Sequence, residues 1–171
     1  MDIKKAVQAA VNFERKGVAF YMELASQTEN RLGRRLFYTL AKEEIEHILT
    51  IDDINRKLQN NEKPKEIIPT SDAIENQIKQ YFQAFKTEEL KDKNTNNLDG
   101  YEMAMNIENK GYEMYKNFWE EAKNPTEKEF FEKMMKEEKS HFEALQNVYY
   151  YLTSRDHWHS EKESQVWNWM V

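Results

Sequence analysis

The sequence contains no cysteine, which excludes disulfide scaffolds, thiolate zinc sites, iron–sulfur clusters and cysteine nucleophiles. Four glycines and three prolines in 171 residues are too few for the many tight turns of a sandwich or barrel. Every apolar run falls far short of the ~18 residues that a membrane span requires. The start of the chain has a basic pair, Lys4 and Lys5, but no apolar stretch behind it. Charge returns at Glu14, Arg15 and Lys16, so this segment does not read as a signal peptide. Positive charge is not in excess: 25 Lys and Arg stand against 31 Asp and Glu, for a net charge of -6. A pI near 5.4 is poorly suited to a phosphate backbone. These absences predict one cytoplasmic domain with neither nucleic acid nor membrane among its partners.

What is present is the composition of long surface-bearing helices, with 33% charged residues and 24 glutamates. Four segments carry apolar residues at steps of three and four, predicting helices over about 2–27, 33–59, 98–122 and 127–152. Asn30, Arg31 and Leu32 mark a short turn between the first two, and Asn124-Pro125-Thr126 a turn between the last two. Thr126 and Glu129 stand at capping-box spacing. Residues 60–97 hold Pro64 and Pro69 and read as a long crossover. It carries one short helix that starts near Ser71 and Asp72, with Ile74, Ile78, Tyr81 and Phe82 as its apolar face. The bundle is expected to span 1–152, followed by a tail, 153–171, that contains His157, Trp158, His159, Trp167 and Trp169. The histidines of the tail read as tail contacts, and its tryptophans as packing on the bundle or on a dimer partner. The methionines, including Met103, Met114, Met134 and Met135, read as core filler.

The two helix pairs align at a constant offset of 94 residues. Asn12-Phe13-Glu14-Arg15-Lys16-Gly17 faces Asn106-Ile107-Glu108-Asn109-Lys110-Gly111, and Tyr21 faces Tyr115. Lys42-Glu43-Glu44-Ile45-Glu46-His47 faces Lys136-Glu137-Glu138-Lys139-Ser140-His141. The fold class is therefore all-α: two duplicated helical hairpins, joined by the crossover, forming a four-helix bundle.

Polar residues interrupt the apolar stripes at matching places. Glu14 lies mid-stripe between Ala10 and Gly17, and Glu108 between Met105 and Tyr112. Glu44 and His47 replace two successive apolar positions between Leu40 and Ile51, as do Glu138 and His141 between Met134 and Leu145. Four uncompensated buried carboxylates would exceed the ~5–15 kcal/mol stability of an ordinary domain. No Lys or Arg recurs near them on the stripes, so two divalent metal ions are the expected compensation, with the histidines as neutral ligands. One Glu from each of two helices plus Glu-x-x-His from each of the other two is the ligand pattern of dimetal-carboxylate bundles. A single Glu-x-x-His in so glutamate-rich a chain carries little weight; two at one offset, each preceded 30 residues earlier by a glutamate, carry much more. The alternative is a bundle that kept the pattern after losing the metal.

At these residues the chain resembles the ferritin-like superfamily and, within it, the rubrerythrin diiron domain. The resemblance covers the four helices, from about Lys4 to Leu152. It implies two iron ions per chain, with manganese or zinc as substitutes. Glu14 and Glu108 would be terminal ligands, Glu44 and Glu138 bridging ligands, and His47 and His141 would cap one metal each. Tyr21 and Tyr115 would hydrogen-bond the site as candidate catalytic residues. Two departures matter. Without cysteine the chain lacks the rubredoxin-type electron relay, so a separate donor, rubredoxin-like or another reductase, would supply electrons. The extra glutamate that rubrerythrins place one turn before the third-helix ligand is Met105 here, which leaves a set closer to a symmetric ferroxidase centre. The expected activity is Fe(II) oxidation with reduction of H2O2 or O2 in oxidative-stress defence, in a homodimer. The alternatives are ferritin-type iron storage and a metal-stabilised bundle without catalysis. Gly17 and Gly111, one turn after the terminal glutamates, would leave room for substrate or for close helix packing.

Overall fold

The fold is described from a computed structural model, which describes residues 2–59, 74, 76–78, 80, 81 and 97–153. Four long helices account for nearly all of these: α1 Ile3–Gln27, α2 Arg31–Gln59, α3 Leu98–Glu121 and α4 Pro125–Thr153. Residues 74, 76–78, 80 and 81 are also helical, and Ile74 and Ile78 are buried against the bundle. The expected cap of that crossover helix, Ser71 and Asp72, lies outside the described residues, as do Phe82 and the tail with its histidines and tryptophans. None of the described helices is long and apolar enough to cross a membrane.

Three-residue connections join α1 to α2 and α3 to α4. Each ends in an asparagine that caps the next helix. Asn30 Oδ1 accepts from the Gly33 N–H at 3.0 Å, and Asn124 Oδ1 accepts from the Thr126 N–H at 2.9 Å. This corrects two expectations. Helix α2 begins at Arg31 rather than 33. Helix α4 begins at Pro125, so Thr126 lies inside it and is not a capping-box residue. The physical reason is the same in both: an asparagine side chain satisfies the free N–H groups of the first turn, and proline is favoured at the first helical position. Asn30 and Asn124 are themselves 94 apart, so the repeat extends through the turns.

Such short loops make each hairpin antiparallel, and α1 packs along α2 while α3 packs along α4. The hairpins meet with α1 against α3 and α2 against α4. The apolar interior falls into two clusters. One contains Tyr21, Leu36, Phe37, Leu40, Tyr101 and Leu145; the other contains Val7, Ile51, Tyr115, Phe130, Phe131 and Met134. Between them lies a polar layer at mid-bundle. Met114, Met134 and Met135 serve as core filler as expected. Met103 does not: it is 57% exposed on the outer face of α3.

A candidate dimetal centre

The polar layer is built from Glu14 on α1, Glu44 and His47 on α2, Glu108 on α3, and Glu138 and His141 on α4. All six are buried, with exposures from 0% to 4%. Each helix is amphipathic, so a residue in phase with the core stripe is carried inward whatever its chemistry. Spacing of three residues puts Glu44 with His47, and Glu138 with His141, on one helix face.

The histidines point Nδ1 at the carboxylates. His47 Nδ1 lies 3.0 Å from Glu44 Oε2 and 3.5 Å from Glu14 Oε2. His141 Nδ1 lies 3.4 Å from Glu44 Oε1 and 3.5 Å from Glu108 Oε2. Glu44 thus stands between the two imidazoles, whose rings are stacked at 5.2 Å. Two clusters of ligand-type atoms result, each with its atoms within 4.8 Å of one another. Glu14, Glu44, His47 and Glu138 form one, and Glu44, Glu108 and His141 the other. Glu44 belongs to both, the position of a bridging group; Glu138 belongs to the first.

The tyrosines cross over. Tyr21 on α1 donates to Glu108 Oε1 on α3, and Tyr115 on α3 donates to Glu14 Oε1 on α1. Burial and the charge of the facing glutamate push both phenols well above their ordinary 10, so they remain hydrogen-bond donors. The two glycines also face the site. A Cβ on Gly17 would sit 3.4 Å from Glu44 Cγ, and one on Gly111 would sit 2.2 Å from Glu138 Oε2. The missing side chains make room for the two α2 and α4 carboxylates.

Charge within the layer is balanced by protons in the metal-free protein. Burial and the charge of Glu44 push the Glu14 carboxyl from 4.5 up to about 8. Burial, with the charges of Glu14, Glu108 and Glu44, also raises Glu138. Burial alone would lower the histidines. Hydrogen bonds to Glu14 and Glu44 outweigh it at His47, which rises to about 10. The charge of Glu108 and hydrogen bonds to Glu108 and Glu44 do the same at His141. Burial alone would raise Glu44, yet hydrogen bonds from Glu14, His141 and His47 hold it well below the usual carboxylate range.

The donor set fits metal ions. Glu14 Oε2, Glu108 Oε2 and Glu138 Oε1 are buried acceptors without a hydrogen-bond partner. Among the described residues, the ion pairs of this layer are with the two histidines, not with Lys or Arg. Carboxylate and imidazole donors suit iron, manganese or zinc.

The rubrerythrin family model matches residues 5–149. The chain belongs to the rubrerythrin family. Its bundle is therefore a ferritin-like diiron-type domain, in agreement with the fold expected from the repeat. No curated protein and no solved structure gives a significant match. The rubrerythrin match takes in α1 from its second turn, all of α2 and α3, and most of α4, so every residue of the polar layer lies inside it. Met105 is half-buried and packs on the first apolar cluster, leaving no carboxylate one turn before Glu108.

Glu43 and Glu137 are buried as well, at 1% and 3% exposure, and were not expected to be. They stand one position off the core stripe. The signal that marks them is the repeat, which carries Lys-Glu-Glu in both halves.

Proposed function

We propose that Glu14, Glu44, His47, Glu108, Glu138 and His141 hold two iron ions, and that the chain couples their oxidation to reduction of H2O2 or O2. The observation that carries this reading is the layer itself: four carboxylates and two imidazoles, none more than 4% exposed, compensated only by one another. When bound, a pair of ferrous ions supplies two electrons, one from each, enough to take H2O2 to water without releasing a radical.

The residues of the chain have definable tasks. Glu44 reaches both histidines and is placed to join the two metals. Tyr21 and Tyr115 hold the terminal carboxylates Glu108 and Glu14 in fixed orientations and keep water from their Oε1 atoms. Apolar residues above and below the layer exclude bulk water, which strengthens every charge interaction inside it. Reducing equivalents come from a separate donor, rubredoxin-like or another reductase, and the working unit is a cytoplasmic homodimer. Met105 favours a second reading, the ferroxidase of a storage protein, because the carboxylate absent there belongs to the rubrerythrin peroxidase pattern.

Metal analysis of protein grown with iron should find close to two ions per chain. A chain that takes up none on anaerobic reconstitution refutes the proposal. Rapid mixing of the ferrous form with H2O2 and with O2, followed by ferric absorption, identifies the oxidant. Size-exclusion separates the readings, with a dimer expected and a large cage favouring storage.

A further inference from the structure

Two buried carboxylates lie outside the six-residue layer. Glu43 and Glu137 are equivalent in the repeat, and each stands four residues before a histidine of the layer. One helical turn of separation puts each on the same side of its helix as that histidine. The structure uses them differently. Glu43 turns to the crossover: its Oε1 accepts from Gln77 Nε2 at 3.4 Å and lies 3.7 Å from Lys42 Nζ. Glu137 stands with both imidazoles, and one atom each of Glu137, His47 and His141 lie within 4.8 Å of one another. The rings there are nearly parallel, 15° apart. Their Nδ1 atoms face the carboxylates of the layer. Their Nε2 atoms are buried and have no hydrogen-bond partner. An imidazole that offers one nitrogen to a metal carries its proton on the other, and that buried N–H requires an acceptor.

We propose that Glu137 is a positioning residue shared by both histidines. Its carboxylate accepts the Nε2–H of His47 and of His141 and so fixes the tautomer that turns each Nδ1 lone pair toward a metal. The proposal rests on the two-iron reading above. One carboxylate has lone pairs enough for two donors. Acceptors of this kind also raise the basicity of the ligating imidazole. Duplication supplied two such carboxylates, and the crossover occupies one of them. A single residue therefore tunes both metals of an otherwise symmetric site.

The test uses the full chain and Zn(II), which needs no redox chemistry. Metal-free protein is titrated against a chromophoric chelator. Glu137→Met keeps the side-chain volume and removes the acceptor; it should weaken both sites about 10–100-fold with helicity unchanged. Glu43→Met should bind as the parent protein does. In the zinc-loaded parent, NMR should show two imidazole N–H protons protected from exchange, and this measurement decides even if Glu137→Met does not fold. The proposal is overturned by parental affinity in Glu137→Met, by equal losses in both variants, or by absence of protected imidazole protons in the parent. A parent chain that binds neither Zn(II) nor Fe(II) refutes the two-iron reading instead, which keeps the two failures apart.

Discussion

Tyr21 donates its hydroxyl hydrogen bond to Glu108, a residue of the other hairpin, and not to Glu14 on its own helix. Its repeat partner Tyr115 does the converse with Glu14. Replacing either tyrosine by phenylalanine leaves a buried carboxylate oxygen without its donor. Each single variant should lose ~1–3 kcal/mol, or about 3–10 °C in Tm. The repeat makes the two losses similar. Denaturant and thermal unfolding of the metal-free protein read the effect, and unchanged stability in both variants contradicts the role assigned to these bonds.

Glu44→Ala combined with His141→Ala removes the carboxylate common to both clusters and the only histidine of one of them. Metal uptake should disappear while the far-ultraviolet circular dichroism stays helical. Retention of two ions per chain would place the ligands elsewhere.

The two helical glycines make opposite predictions. A Cβ at position 17 meets Glu44 Cγ at 3.4 Å, an ordinary contact, whereas at position 111 it meets Glu138 Oε2 at 2.2 Å and Phe13 Cε1 at 2.9 Å. Gly17→Ala should preserve metal binding and gain up to ~1 kcal/mol from helix propensity. Gly111→Ala should displace the Glu138 carboxylate and weaken metal uptake. Equilibrium titration of both variants with Zn(II) separates them, and equal behaviour would show that the site tolerates either methyl group.

The proton load of the metal-free layer sets a pH dependence. Glu14 is raised from 4.5 to about 8 and His47 from 6.5 to about 10, so the folded protein binds more protons than the unfolded chain across that span. Stability then falls as pH rises, through 4.5–8 for Glu14 and through 6.5–10 for His47. The metal-free protein should melt lower at pH 9 than at pH 6. Metal ions compete with the same protons, so loading at pH 7 should release protons, detectable with an indicator dye. A Tm that climbs from pH 6 to pH 9 in the metal-free form would reverse the sign assigned here.

The repeat and the helical period made the bundle legible from the residues alone. Glu14, Glu44, His47 and their counterparts were legible because they interrupt apolar stripes in phase. Other features depend on what a neighbouring helix covers. Glu43 and Glu137 lie beside the stripe, and only the packing of α2 against α4 buries them. Spacing along α1 places Tyr21 two turns from Glu14, but does not say that its hydroxyl crosses to Glu108. Thr126 and Glu129 imitate a capping box, while the cap is the preceding Asn124. Met103 has the chemistry of a core residue and the phase of a surface one.

The crossed tyrosines give the layer the contact pattern of a two-fold interface: one residue touches a second, and the equivalent of the second touches the equivalent of the first. Two copies of a single hairpin, placed face to face, would present the same six ligands and the same two phenols. Neither hairpin carries a finished half of the centre, because each borrows the tyrosine that fixes its terminal glutamate. The site is in this sense a dimer interface contained within one chain. The crossover guarantees the pairing that two separate hairpins would have to find by collision.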